Sequence, residues 1–189
     1  MTNSDRMPPI PKDQWTDAQK KAAAEFAAAR KQEDFGPFAV MLRSPEVMLR
    51  ASAMGDYMRY RTVLPARLNE LIILITARHW TQQFEWHVHQ PAALKAGLPA
   101  DIVNAVAEGR RPDAMAEEEA IVHDFAIELL RSQNVSDAVY ARAVAAFGEQ
   151  GIIDMVGVAG YYSFLSMMMN TARTPVPADS SVPPLPSRA

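Results

Sequence analysis

Two acids and one imidazole stand where they could handle protons together. Glu85 and His89 are four residues apart in the segment Gln82-Gln83-Phe84-Glu85-Trp86-His87-Val88-His89, and Glu70 precedes them. On a helix, positions 82, 85 and 89 share one face, so Gln82, Glu85 and His89 should project together. His87 is two residues from His89, about 200° around the same helix, and faces elsewhere. A carboxylate beside an imidazole orients the ring and tunes it for proton transfer near neutral pH. A second carboxyl group in a partly apolar pocket can stay protonated and act as an acid. The plain alternative is a Glu–His pair on a solvated helix face.

Other chemistries lack their residues. Cysteine is absent, which excludes disulfides, thiolate nucleophiles and Cys-ligated metal centres. His87 and His89 would share a face only on a strand, and no His-Glu-x-x-His pattern occurs, so no metal is expected. No phosphate loop, Gly-x-Gly-x-x-Gly or Gly-x-Ser-x-Gly motif is present. The 189 residues carry 19 Lys and Arg against 22 Asp and Glu, a formal charge of −3, which leaves no basic excess for a nucleic-acid backbone. No signal-like segment opens the chain and no run of about 18 apolar residues marks a spanning helix, so a cytoplasmic protein with no membrane partner is expected.

The elements that must position these groups read as helices. Hydrophobic residues make up 49% of the chain and only 8 are glycine, a globular and helix-favouring composition. Residues 1–15, with Met7-Pro8-Pro9-Ile10-Pro11, read as an extended arm that Trp15 could pin to the body. Thr16-Asp17-Ala18-Gln19 is a capping-box pattern that opens a helix reaching about Lys31. A short turn over Phe38 to Leu42 follows, then a helix opened by Ser44-Pro45-Glu46 and ending near Arg61. Pro65 opens an apolar helix that carries Glu70. The next spans 82–96, with Pro91 expected to kink it or remove a hydrogen bond, and Gly97 as its stop. Shorter helices follow over 100–109, 117–131 and 136–147, and then a long apolar one from Ile152 to Asn170. Tyr161 and Tyr162 read first as core, with a phenol offered to a pocket as the alternative, and Met167-Met168-Met169 reads as packing or a subunit interface. From Thr174, five prolines prescribe an extended tail, disordered or draped over a neighbouring subunit. The expectation is an all-α, single-domain bundle of about seven or eight helices over 16–173, flanked by the arm 1–15 and the tail 174–189.

Glu70-Leu71-Ile72-Ile73-Leu74, Phe84-Glu85-Trp86-His87-Val88-His89 and Pro91-Ala92-Ala93-Leu94-Lys95-Ala96-Gly97-Leu98 together resemble the carboxymuconolactone decarboxylase family, which includes the alkyl hydroperoxidase D proteins. The resemblance covers roughly residues 35–175. The peroxidase branch of that family carries an acid, then Cys-x-x-Cys, then His. Laid on this chain, the acid falls on Glu70, the His on His89 and the two Cys on Gln82 and Glu85. Thiol-dependent peroxiredoxin activity is therefore excluded here, whatever the family suggests. The branch with Glu-Trp-x-x-His instead implies an alkyl hydroperoxidase D-like helical fold and a homo-oligomer (dimer, trimer or hexamer). It also implies a cofactor-free lyase, isomerase or hydrolase acting on a small carboxylated or lactone substrate. On that reading His89 moves a proton, Glu85 orients and tunes it, and Glu70 completes the relay. Gln82 and Trp86 would contact the substrate, and Arg61 or Arg78 would hold its carboxylate. A non-catalytic oligomeric scaffold is the remaining alternative.

Overall fold

The computed structural model describes residues 4–30 and 36–187. Within these the fold is all-α, a single-domain bundle of eight helices without strands: α1 (Asp17–Arg30), α2 (Pro37–Met41), α3 (Pro45–Tyr60), α4 (Ala66–Trp80), α5 (Gln83–Lys95), α6 (Ala100–Glu108), α7 (Glu117–Ser132) and α8 (Asp137–Ala172). The Lys31 end of the first expected helix lies outside the described residues. The capping box forms as its residue types dictate. The Gln19 N–H donates to Thr16 Oγ1 at 3.3 Å, and the Thr16 N–H donates back to Gln19 Oε1 at 2.9 Å.

Helix α4 is the axis of the molecule. Every residue from Leu68 to Ala77 is buried, and the helix packs against α5, α6, α7 and α8. An element covered on all sides reads as an unbroken apolar run, which is why Leu71–Ile75 carries no amphipathic pattern. Only Thr81 and Gln82 separate α4 from α5, so the two pack as neighbours and Glu70 can meet the α5 side chains. Helix α5 runs through Pro91, which has no N–H to return to the His87 carbonyl.

The two expected helices over 136–147 and 152–170 are joined as α8, with a break at Gly148 (φ 66°, ψ 178°). A positive φ suits glycine, and this non-helical backbone makes α8 two helical segments that meet at a kink. Helix α8 is long and apolar enough to cross a membrane by length and composition, contrary to the expectation that no such segment exists. In its most apolar window 56% is buried inside the fold. Asp154, buried on α8, accepts from the Val63 N–H at 2.8 Å and the Tyr57 hydroxyl at 3.2 Å, which ties the helix to the α3–α4 connection. These contacts are those of a core helix.

Both flanks dock on their own chain. The arm contains a 3₁₀ turn at Lys12–Gln14, and the Trp15 indole N–H closes back on the Ile10 carbonyl at 2.8 Å. Arg6 N–H donates to the Ala172 carbonyl at 2.7 Å and Arg43 to the Pro8 carbonyl at 2.7 Å. The tail, expected to be disordered or to cover another subunit, lies instead along α5. Leu185 is buried in the core, and the Gln83 side chain grips its backbone, accepting from its N–H (2.9 Å) and donating to its carbonyl (3.0 Å). The prolines keep the tail extended, and these bonds satisfy the backbone groups that no helix serves.

Candidate active site

Glu70, Glu85 and His89 converge. His89 Nδ1 lies 2.7 Å from Glu70 Oε2, and Nε2 lies 3.4 Å from Glu85 Oε2. All three residues are buried, with relative exposures of 8%, 4% and 2%. A buried carboxylate is acceptor-only, so the short contact puts the imidazole proton on Nδ1, donating to Glu70, and turns Nε2 towards Glu85. The i, i+4 spacing on α5 brings Glu85 and His89 together, and the buried face of α4 supplies Glu70 from behind.

Burial pushes the Glu85 carboxyl above the ordinary carboxylate range, and the neighbouring Glu70 adds to the rise. His89 and Arg59 oppose it. The ring of Tyr162 meets His89 edge-on at 4.9 Å and that of Tyr161 at 5.4 Å. Burial, and then Glu85, hold the Tyr162 phenol well above its usual range, so it stays protonated. Glu85 and His89 open on a cavity of about 30 Å³ walled by Arg59, Tyr161, Tyr162, Phe38, Gly55 and neighbours. Glu70 stands behind His89 rather than on the cavity wall. The missing side chain of Gly55 makes room for Tyr161, whose hydroxyl would have to shift if a Cβ stood there.

Four expected contacts fall elsewhere. Gln82 is the N-cap of α5, not part of its helical face. Its Oε1 accepts the Phe84 N–H at 2.6 Å and its Nε2 donates to Asn170 at 3.0 Å. Helical spacing counted from a residue outside the helix has no geometric meaning, which is why it misleads. Trp86 is buried on the tail side and donates its indole N–H to the Pro183 carbonyl at 3.2 Å. His87 shares that side, 2.6 Å from Ser180 Oγ. Arg61 is exposed and packs over the Tyr57 ring, 5.8 Å from its centroid. Arg78 borders a different cleft and donates to the Pro186 carbonyl at 2.7 Å.

The cation on the cavity wall is Arg59, which sequence reasoning missed. The signal was present: Met48, Ser52 and Gly55 mark the buried face of α3, and position 59 continues it at helical spacing. An arginine on a buried face is the informative residue. Arg59 packs 5.3 Å from the Tyr60 ring centroid and forms no ion pair among the described residues. No cluster of three or more His, Asp or Glu suited to a metal ion occurs among the described residues. The chain matches no protein-family model, and no curated protein matches it.

Proposed function

We propose that this chain is a carboxymuconolactone decarboxylase-like, cofactor-free lyase that acts on a small carboxylated or lactone substrate by proton transfer through His89. One observation carries the reading: a buried line of Glu70, His89 and Glu85 that ends on a cavity walled by the Arg59 guanidinium, which forms no ion pair among the described residues. In the proposed step a carbon–carboxylate bond breaks and CO2 leaves. The electron pair moves into the unsaturated lactone, and carbon takes a proton from the Glu85–His89 pair. Glu70, at 2.7 Å, orients the ring, while Glu85, whose carboxyl burial pushes towards the protonated form, exchanges the proton with Nε2. The 3.4 Å separation is longer than a formed hydrogen bond, a gap that tightens on substrate binding in sites of this kind. Arg59 holds a carboxylate that the substrate retains, since a cation on the departing one would oppose its loss as neutral CO2.

The cavity, at about 30 Å³, has room for roughly one or two waters. A lactone must therefore displace wall side chains. That size favours the second reading, a scaffold without catalysis, and the experiment separates the two. Purified protein is incubated with carboxymuconolactone and CO2 release is followed for wild type, His89→Ala and Glu85→Gln. The expected result is turnover in wild type and a loss of about 100-fold or more in each variant. Equal rates in all three would remove the assigned roles, and no turnover in any would favour the scaffold. A homo-oligomer also belongs to this proposal: Ile153 and Val156, both exposed on α8, supply an apolar face. Light scattering reads the copy number, and a monomer would remove that part.

A further inference from the structure

A second and larger cleft lies apart from the one beside His89. It measures about 760 Å³, lies between α4, α6, α7 and the start of α8, and shares no lining residue with the smaller cavity. Ile75 and His79 line it from positions about 140° and 180° around α4 from Glu70. Helix α4 thus separates the two sites. A volume of this order is ordinary for a small-molecule pocket.

Its wall is amphipathic. Ile75, Val106 and Val139 give it a buried apolar floor, and Arg78, Arg110, Arg111 and Arg131 stand around it. The three carboxylates on the wall are already committed. Glu108 pairs with Arg110. Asp124 is shared between Arg111 (3.0 Å) and Arg142 (3.1 Å). Glu128 accepts from the Ser136 N–H (2.7 Å) and hydroxyl (3.2 Å) at the start of α8. Arg131 has only a 3.4 Å contact to the Gly109 carbonyl and no ion pair among the described residues. His123, buried in the same wall, is held towards its neutral form mainly by burial. Its Nδ1 lies 3.3 Å from Asp124 Oδ1.

We propose that this cleft is a second ligand site, distinct from the His89 centre, for an amphipathic organic anion. An aryl or short acyl carboxylate would lay its apolar body on the Ile75–Val106–Val139 floor and its anionic head on Arg131. An inorganic anion leaves the floor unused, and a cation meets the arginines, so the wall selects for both properties together.

The test uses the full chain and the fluorescent anion 1-anilinonaphthalene-8-sulfonate. The expected result is saturable binding at one site per chain, displaced by 4-phenylbutyrate and not by 4-phenylbutylamine. Arg131→Ala should weaken binding about tenfold, the worth of one charge-assisted hydrogen bond. Ile127→Trp, which fills the cleft from α7, should abolish it, and His89→Ala should leave it unchanged. Far-UV circular dichroism checks that each variant is folded. Absence of saturable binding overturns the proposal. So does equal affinity in wild type and folded Arg131→Ala, displacement by the amine as readily as by the acid, or loss of binding in His89→Ala.

Discussion

Replacing Glu70 by alanine tests whether the buried line is one coupled unit. The substitution leaves the Nδ1–H of His89 without its 2.7 Å acceptor in a site where His89 is 2% exposed. An orphaned buried donor costs about 1–3 kcal/mol. Removing the carboxymethyl group beyond Cβ also opens a void of about 45 Å³, and at roughly 24 cal/mol per Å³ this adds about 1 kcal/mol. The sum is about 2–4 kcal/mol. For a chain of this length it lowers the melting temperature by about 5–15 °C. Glu70→Gln keeps the volume and offers an amide oxygen to the same N–H. It loses only the difference between a charged and a neutral hydrogen bond, about 1 kcal/mol, or about 2–4 °C. Thermal melts at neutral pH, followed by circular dichroism, read both. Urea titrations of the single and double variants with His89→Ala then give the coupling, expected at about 1–2 kcal/mol. Two results would refute the reasoning: Gln and Ala variants that melt together near wild type, or a Glu70→Ala cost undiminished in the His89→Ala background.

Glu85 works in the opposite sense. Its carboxyl titrates higher in the fold than in the unfolded chain, mainly through burial, so the folded state holds its proton longer. Stability from this group is therefore fullest below the unfolded value of about 4.5 and falls as pH rises towards the folded value. Glu85→Gln removes that fall: the variant should gain on wild type as pH increases above 4.5, and melting curves between pH 4 and 8 that stay parallel would contradict the assignment. The tail offers a separate check. Leu185→Ala should cost about 2–4 kcal/mol as a buried anchor is truncated. It should also red-shift Trp86 emission as the Pro183 contact loosens. An unchanged melt and spectrum would mean that the tail does not hold to its own chain in solution.

The helices were legible because their signals are local. Thr16 and Gln19 cap α1, Pro45 and Glu46 open α3, and Pro65 precedes α4. The meeting of Glu70 with Glu85 and His89 could be anticipated from a short α4–α5 connection and an i, i+4 pair. What escaped depends on distant parts of the chain. The packing of α3 on distant elements puts Arg59 on the cavity wall with Glu85 and His89, whereas Arg61, the C-cap beyond the last turn of α3, packs over the Tyr57 ring outside it. Gln82 and Trp86 were misjudged for one reason: each has a polar group that finds a partner late in the chain, Asn170 and Pro183. No periodicity within α5 encodes such partners. The 760 Å³ cleft is likewise built from α4, α6, α7 and the start of α8 and has no contiguous motif.

The charges around Glu85 also bear on how the proposed reaction would begin. Two neighbours, His89 and Arg59, favour the ionised carboxylate, whereas burial and Glu70 favour the protonated form. A substrate carboxylate seated on Arg59 would cancel one of the two favourable influences and bring a further negative charge to the cavity. Both changes push Glu85 in the same direction, towards the neutral form that can give up a proton. Binding itself would arm the acid, and an apolar analogue without the carboxylate would leave Glu85 as it stands. Arg59→Ala would uncouple the two events, raising the Glu85 carboxyl before any ligand arrives and removing its response to one. A carboxylate-dependent change in the Glu85 titration, followed by infrared spectroscopy of the carboxyl stretch, should therefore be present in wild type and absent in Arg59→Ala. If the same ligand-dependent change persisted without the guanidinium, Arg59 would not be the group that receives the anion.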